Sequence, residues 1–395
     1  AAPGVRVLPV RVLGKCYGTD ADIIAGMRWA AGIAVPGAPD NPTPARVINM
    51  SLGSSATCNA AYQEAVDEIT ARGVLIVVAA GNSAGGPVGT PGGCRGVLAV
   101  AALRHAGTKV GFSDLGPEIG IAAPGGNCIN IRAGTPCLYP ILAATNSGTQ
   151  APLSSAWTDS FDITVGTSFA SPLVAAVSAL LVSVQPGITP SQMRSALQSS
   201  ARPFPSTGAD NGPDDPFNPV YACFAPRSGV EQLQCYCSSL LCGAGMMDAG
   251  AAVEAAQRGT LAVGMADRPT IAIGETLRVD ASRSVAGTGR NLVAWQWSVL
   301  GDGAVATFTS ATDAPSATLA AQATGRIKVR LTVSDDQGAV AIHDEAIEVV
   351  QASSPNPPPA AGGSGGGGAL APGWLLALAG AVMALRHGRS PRGLR

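Results

Sequence analysis

The chain has 395 residues, enough for two or three domains with their own cores. Its formal net charge of −1 argues against nucleic acid as the partner. Only 13% of residues are charged, against 50 glycines and 30 prolines, which fits a loop-rich fold whose small residues let backbone approach backbone. None of the nine cysteines sits in the paired spacing of a zinc site. Scattered among turns, they fit disulfides and an oxidising compartment; buried free thiols are the alternative.

The chain opens at Ala1 without a charged-then-apolar leader, and the stretch from Val5 to Leu13 reads at once as a strand. This predicts that an N-terminal part of the first domain lies upstream. Residues 20–34 read as a helix with Ile23, Ile24, Met27 and Ala31 on one face. A Pro-rich loop, 36–44, leads to a short strand at 47–50. Thr57 is the expected cap of a helix over 59–71, with Ala61, Ala65, Val66 and Ile69 inward and Glu64, Asp67 and Glu68 outward. Residues 74–80 and 97–102 are continuous apolar runs, the pattern of parallel strands buried on both faces. Strands alternating with helices predict an α/β domain with a mainly parallel sheet and right-handed crossovers. A helix of small and apolar residues runs from Ser168 to about Val184. Thr189-Pro190-Ser191-Gln192 reads as a capping box opening a helix to Ser200. A Cys-rich loop, 223–242, precedes a last helix at 246–257.

From residue 265 short alternating runs at 270–273, 277–280, 293–299, 327–333 and 339–349 predict a small all-β antiparallel sandwich. Residues 351–368 are a Pro- then Gly-rich linker. The run from Ala369 to Leu385 is apolar and is followed by Arg386, Arg389, Arg392 and Arg395. The expected organisation is therefore 1–258, 265–350, 351–368 and 369–395.

Two segments carry chemistry. In Gly166-Thr167-Ser168-Phe169-Ala170-Ser171-Pro172 a serine begins a buried helix, among unpaired backbone N–H groups at the positive end of the helix dipole. An oxyanion forming beside it would be stabilised there. A plain helix N-cap is the competing reading. In Ala79-Ala80-Gly81-Asn82 an asparagine follows a buried parallel strand, on the face where α/β sheets place their sites. Its amide could donate to the same oxyanion, or it could simply form a turn.

With Val10-Arg11-Val12-Leu13-Gly14, Val47-Ile48-Asn49-Met50-Ser51-Leu52-Gly53, Val88-Gly89-Thr90-Pro91-Gly92 and Ala122-Ala123-Pro124-Gly125, these segments stand in the order of the subtilisin-like serine peptidases. The resemblance covers about residues 1–258. It implies that Ser168 is the nucleophile of a serine endopeptidase acting through an acyl-enzyme, and that the Ser168 amide and the Asn82 side chain form the oxyanion hole. It implies further that Ser51, Leu52 and Gly53 are an edge for substrate backbone, and that Ala79, Ala80, Gly81 and Gly89 wall an uncharged specificity pocket for large apolar side chains. The family's triad runs Asp, His, Ser, with the first two in Asp-Thr/Ser-Gly and His-Gly-Thr motifs; neither motif occurs in this sequence. The three histidines, His105, His343 and His387, are not placed to serve Ser168, so residues 1–395 are expected to be inactive alone. A non-catalytic peptide-binding pseudopeptidase at the cell surface is the alternative. Leu173 and Ala176 replace the family's usual His and Gly after the serine.

The insertion 34–45, the Gly14-Lys15-Cys16 turn and the cysteine layout resemble an exported bacterial branch of this family. The resemblance implies pairs Cys58 with Cys94 and Cys128 with Cys137; Cys223, Cys235, Cys237 and Cys242 would form two more, leaving Cys16 over. The chemistry needs no cofactor, and calcium is admitted as a structural ion. Segments around Asp280-Ala281-Ser282-Arg283-Ser284, Trp295-Gln296-Trp297, Gly301-Asp302-Gly303 and Asp335-Asp336-Gln337-Gly338 resemble a PKD-type immunoglobulin-like module. The tail resembles a bacterial Gly-Gly C-terminal sorting signal that an intramembrane protease cuts. It implies an exported protein held in a membrane through residues 369–385, its arginines cytoplasmic, and released on trimming. Its partners are protein or peptide substrates and no nucleic acid.

Overall fold

The computed structural model of the chain describes residues 2–15, 17–127, 139–159, 165–208 and 220–352. Residues Ala1–Ala352 form one compact unit. The apolar run from Ala369 and the basic tail, like Cys16, Cys128 and Cys137, lie outside the described residues.

The first part is built on a parallel sheet. Helix α1 (Asp20–Ala30) is capped by Thr19, whose hydroxyl accepts from the Asp22 N–H. Strand β1 (Val47–Met50), helix α2 (Ala60–Ala71) and strands β2 (Leu75–Ala79), β3 (Leu98–Leu103) and β4 (Ile119–Pro124) follow. The strands lie in the order β1-β2-β3-β4, every pair parallel. All of β2 and β3 is buried, because the two faces of the sheet are covered by different layers. Ile76 and Val78 pack with Ile23, Ile24 and Met27 of α1 and Val66 and Ile69 of α2. Leu75 and Val77 point the other way, into a core shared with α3 (Thr167–Val184), α4 (Pro190–Ser199) and, beyond a short α5 (Ser239–Cys242), α6 (Ala249–Arg258). A hairpin of β5 (Ala143–Asn146) and β6 (Ser155–Thr158) precedes α3, and a parallel pair, β7 (Tyr221–Ala222) and β8 (Cys235–Tyr236), precedes α5. Among the described residues α3 alone is long and apolar enough to cross a membrane, but Ala170, Val174, Val177 and Leu181 line the core beneath the sheet.

The second part is two facing four-stranded sheets. One is ordered β10-β16-β15-β12 and the other β13-β14-β11-β9, from β9 (Met265–Ala266), β10 (Thr270–Ala272), β11 (Thr276–Asp280), β12 (Leu292–Leu300), β13 (Ala306–Phe308), β14 (Ser316–Ala321), β15 (Gly325–Asp335) and β16 (Val340–Val350). Trp297, Leu277, Leu319, Leu331 and Ile347 share the core between them. The sandwich sits directly on the α/β part: Lys328 Nζ donates to the carbonyls of Ile119 (3.0 Å) and Ser239 (2.7 Å), and Gln198 Oε1 accepts from the Asp344 N–H (3.0 Å).

The structure corrects several local expectations. Residues 5–13 are not a strand: no described strand lies alongside to take their ladder bonds, although Val10 and Val12 pack on the α1–α2 core. Asn59, not Thr57, caps α2, its Oδ1 accepting from the Tyr62 N–H; Tyr62 rather than Ala61 then completes the inward 62-65-66-69 stripe. Helix α1 ends at Ala30 because Gly32 takes a φ of +75°. Helix α6 starts only after Asp248, because Met246 and Met247 are held in bridges to Arg202 and Ala122. Within the sandwich β10 pairs parallel with β16, and β13 and β14, rich in Ala, Thr and Ser, carry too weak an apolar pattern to be read from sequence.

Candidate active site

The C-terminal ends of β1 and β2 face the first turn of α3. Gly166 precedes that helix with a φ of +146°, a conformation that excludes a side chain. Ser168, half-buried, is its second residue, so its N–H belongs to the helix's first, outward-pointing set of donors. Asn82 lies just beyond β2. Its Oδ1 accepts from both the N–H and the hydroxyl of Thr167, each at 2.9 Å. Because both bonds fall on the oxygen, the amide is oriented with Nδ2 on the opposite side. A Cβ placed on Gly166 would lie 3.5 Å from Asn82 Nδ2, 3.7 Å from Asn82 Oδ1 and 3.6 Å from Ser168 N, so the Asn82 amide and the Ser168 N–H border the same small space.

Ser51 fixes the end of β1 to this turn. Its hydroxyl donates to the Ser168 carbonyl (2.8 Å), lies 3.2 Å from Ser171 Oγ and accepts from Asn49 Nδ2 (3.1 Å). Ser51 and Gly53 are exposed and Leu52 is half-buried, leaving an open backbone edge beside Ser168. The chain then meets a second segment, with Ser54 N–H donating to Thr90 O (2.9 Å). The approach is so close that a Cβ on Gly89 would sit 1.7 Å from the Ser54 carbonyl oxygen. Ala79 and Ala80 are buried, and Cys58 and Cys94 form a disulfide that ties the start of α2 to the loop after Gly89.

A family model described as the subtilase family matches residues 1–218. The chain belongs to the subtilase family. It is 39% identical over 260 residues to an extracellular protease of Xanthomonas campestris pv. campestris, covering 65% of this chain and 37% of that protein. An extracellular basic protease of Dichelobacter nodosus is 39% identical over 208 residues, 51% of this chain and 32% of its own. The chain thus spans about a third of the length of these two relatives. A solved structure of proteases from Pseudoalteromonas arctica is 37% identical, with a TM-score of 0.51, over 64% of this chain and 63% of that one.

Seen as a subtilase, the chain brings Ser168, Asn82 and Ser51 together, and no histidine with them among the described residues. His105 stacks on Tyr139 at 3.8 Å and has Nδ1 3.2 Å from Asn127 Nδ2. Burial, with Arg104 adding to it, lowers its pKa. His343 is buried on β16 with Nε2 3.5 Å from Glu345 Oε2, and His387 lies outside the described residues. Among the described residues the one His/Cys/Asp/Glu group tight enough for a metal is Cys223, Cys237 and Cys242. Their sulfurs are spent in the disulfides Cys223–Cys235 and Cys237–Cys242. Sequence reasoning missed two residues here. Thr167, one residue of the serine motif, orients Asn82. Asp114, an aspartate in an unremarkable loop, lies buried against Gly81, and no local sequence signal links it to Asn82.

Proposed function

We propose that residues 1–258 are the part of a subtilase domain that carries the nucleophile and the oxyanion donors, and that the protein cleaves peptide bonds through an acyl-enzyme on Ser168. The observation that carries this is the pairing of Ser168 N–H with an Asn82 amide turned toward the same space by Thr167. Ser168 Oγ attacks the scissile carbonyl and its proton passes to a base. The carbonyl oxygen becomes an oxyanion held by the Ser168 N–H and Asn82 Nδ2. The amine leaves with a proton, and water then releases the acyl group. Substrate backbone lies along Ser51, Leu52 and Gly53, with a side chain walled by Ala79, Ala80, Gly81 and Gly89. The base and the aspartate that orients it are not supplied by residues 1–395, so this stretch by itself hydrolyses nothing.

The test uses the protein with its native upstream sequence. A phosphonylating reagent is expected to label it at Ser168, and residues 1–395 alone are expected to show no Ser168-dependent hydrolysis. A protein that neither labels nor cleaves would instead be a peptide-binding pseudopeptidase. Robust hydrolysis by residues 1–395 alone would overturn the assignment of the base to another segment.

The rest of the reading concerns location. The relatives are named as extracellular, and three disulfides stand among the described residues, which together support export. Residues 265–350 are read as a PKD-type immunoglobulin-like module. Residues 369–385 are read as a membrane anchor within a Gly-Gly sorting tail, cut by an intramembrane protease.

A further inference from the structure

The loop that carries Asn82 is built against a second loop, residues 109–115, and the two are zipped by backbone bonds. Ala84 N–H donates to Phe112 O and Gly85 N–H to Ser113 O, each at 3.0 Å; Leu115 N–H donates to Gly86 O at 2.9 Å. Asp114 occupies the position in this zipper that faces Asn82. Its own N–H donates to the Gly81 carbonyl at 3.0 Å, and its Oδ1 accepts from the Ser83 N–H at 2.8 Å. One aspartate therefore bonds the backbone on both sides of Asn82. The fit leaves no room: Gly81 has a φ of +117°, and a Cβ there would lie 2.1 Å from Asp114 Oδ2. Beneath the turn, Lys109 is fully buried and its Nζ donates to the carbonyls of Val110 (3.1 Å), Gly111 (3.0 Å) and Ser113 (2.9 Å). The Lys109 amine thus gathers the backbone that presents Asp114, and its charge, though burial disfavours it, attracts a carboxylate that is itself almost wholly buried.

We propose that Asp114 is a positioning residue for the oxyanion hole: its carboxylate and its N–H clamp the backbone on both sides of Asn82, and Lys109 holds the turn that carries the clamp. The side-chain end of Asn82 is set by Thr167, whose hydroxyl also accepts from the Gly81 N–H (3.2 Å), while Asp114 bonds the backbone on both sides, at the Gly81 carbonyl and the Ser83 N–H. An amide donor works only if it is already aimed when the oxyanion forms, so loosening either end lowers turnover without weakening substrate binding. The inference rests on the reading of Asn82 as an oxyanion donor.

The experiment is a double-mutant cycle in the active protein with its upstream sequence, measuring kcat and KM separately. Asp114→Ala is expected to lower kcat on the order of tenfold, with KM within about twofold. Added to Asn82→Ala, it is expected to cost no further turnover, because the donor it positions is gone. Asp114→Asn, which keeps an acceptor for the Ser83 N–H, is expected to recover most of the loss. An Asp114→Ala effect on kcat that is the same with and without Asn82 would overturn the proposal, since the residue would then act elsewhere; so would an unchanged kcat in Asp114→Ala. If Asp114→Ala does not accumulate as folded protein, amide exchange at Ser83 in Asp114→Asn decides. Slow exchange as in the wild type, with near-native kcat, supports the clamp, and fast exchange with native kcat overturns it. Asn82→Ala with unchanged kcat would instead remove the oxyanion reading itself, a result separable from any made on Asp114.

Discussion

Lys328 offers a quantitative test of how the sandwich is joined to the subtilase fold. Its side chain leaves β15, is 1% exposed, and ends on the carbonyls of Ile119 and Ser239. Burial lowers its pKa from the ordinary 10.5 to about 8; the attraction of Asp344 opposes that shift, and Arg330 and Arg194 assist it. One pKa unit is worth about 1.4 kcal/mol, so the drop from 10.5 to about 8 corresponds to about 3 kcal/mol. The sign follows from proton counting. Between about pH 8 and 10.5 the unfolded chain holds a proton on this lysine that the folded protein has shed, so this group makes the protein more stable as pH rises through that window. Below about pH 8 the lysine is charged in both states and the burial penalty is present in full. Lys328→Met removes the titration and keeps most of the volume. Urea unfolding at about pH 7.5, 9 and 10.5 is therefore expected to show the stability difference, wild type minus Lys328→Met, moving by about 3 kcal/mol in favour of the wild type across the series. The absolute difference at neutral pH is small, because losing two charge-assisted hydrogen bonds offsets relief of the buried charge. Parallel pH profiles for the two proteins would refute the reasoning and mean that Lys328 keeps an ordinary pKa at this junction.

Two further predictions concern the proposed site and the tail. Thr167→Val removes the hydroxyl donor to Asn82 Oδ1 while leaving the backbone donor. In the active protein kcat is expected to fall on the order of tenfold with KM little changed, checked by steady-state kinetics on a peptide substrate. In the tail, wild-type protein is expected to fractionate with membranes before trimming and to end near Gly365 afterwards, whereas protein ending at Ser364 is expected to stay soluble. Identical fractionation, with the native protein still ending at Arg395 by mass spectrometry, would count against the anchor and the cut together.

What the sequence disclosed, it disclosed through local pattern. The runs at β2 and β3 are apolar at successive positions because helices cover both faces, and that pattern needs no knowledge of the neighbours. Thr189 and Gln192 form their reciprocal capping box just as their spacing suggests, since both partners lie within one turn. Elements whose stability comes from remote partners were harder to read. Residues 5–13 look like a strand by composition, but a strand exists only through its neighbours, and none of the described strands pairs with them. Strand β14 reads Ser-Ala-Thr-Leu-Ala-Ala, with small residues at its inward positions Ala317 and Ala321, so its alternation was too faint to see. Met246 carries helix-forming character, yet two bridges, to Ala122 and Arg202, hold it outside the helix.

The site itself divides along the same line. Ser168 and Asn82 stood out because each sits in a short motif with a physical meaning at one place: a helix start, a strand end. The holding roles of their neighbours, Ser51 included, are not legible in the same way, because each neighbour reaches across the fold. Ser51 grips the Ser168 carbonyl from 117 positions away, Thr167 grips Asn82 from 85, and Asp114 reaches Ser83 from 31. Parallel topology explains why such distant residues meet: strands that all run the same way deliver their C-terminal ends, and the loops after them, to one edge of the sheet. Ser51, Thr167, Asp114 and Lys109 all lie within residues 1–258, so on the proposed reading the oxyanion donors are held without help from a base. A loss of turnover from a missing base and a loss from a misaimed amide are then independent. The first removes attack and leaves the amide positions intact, while the second leaves Ser168 as reactive as its base makes it and lowers only the stabilisation of the charge that forms.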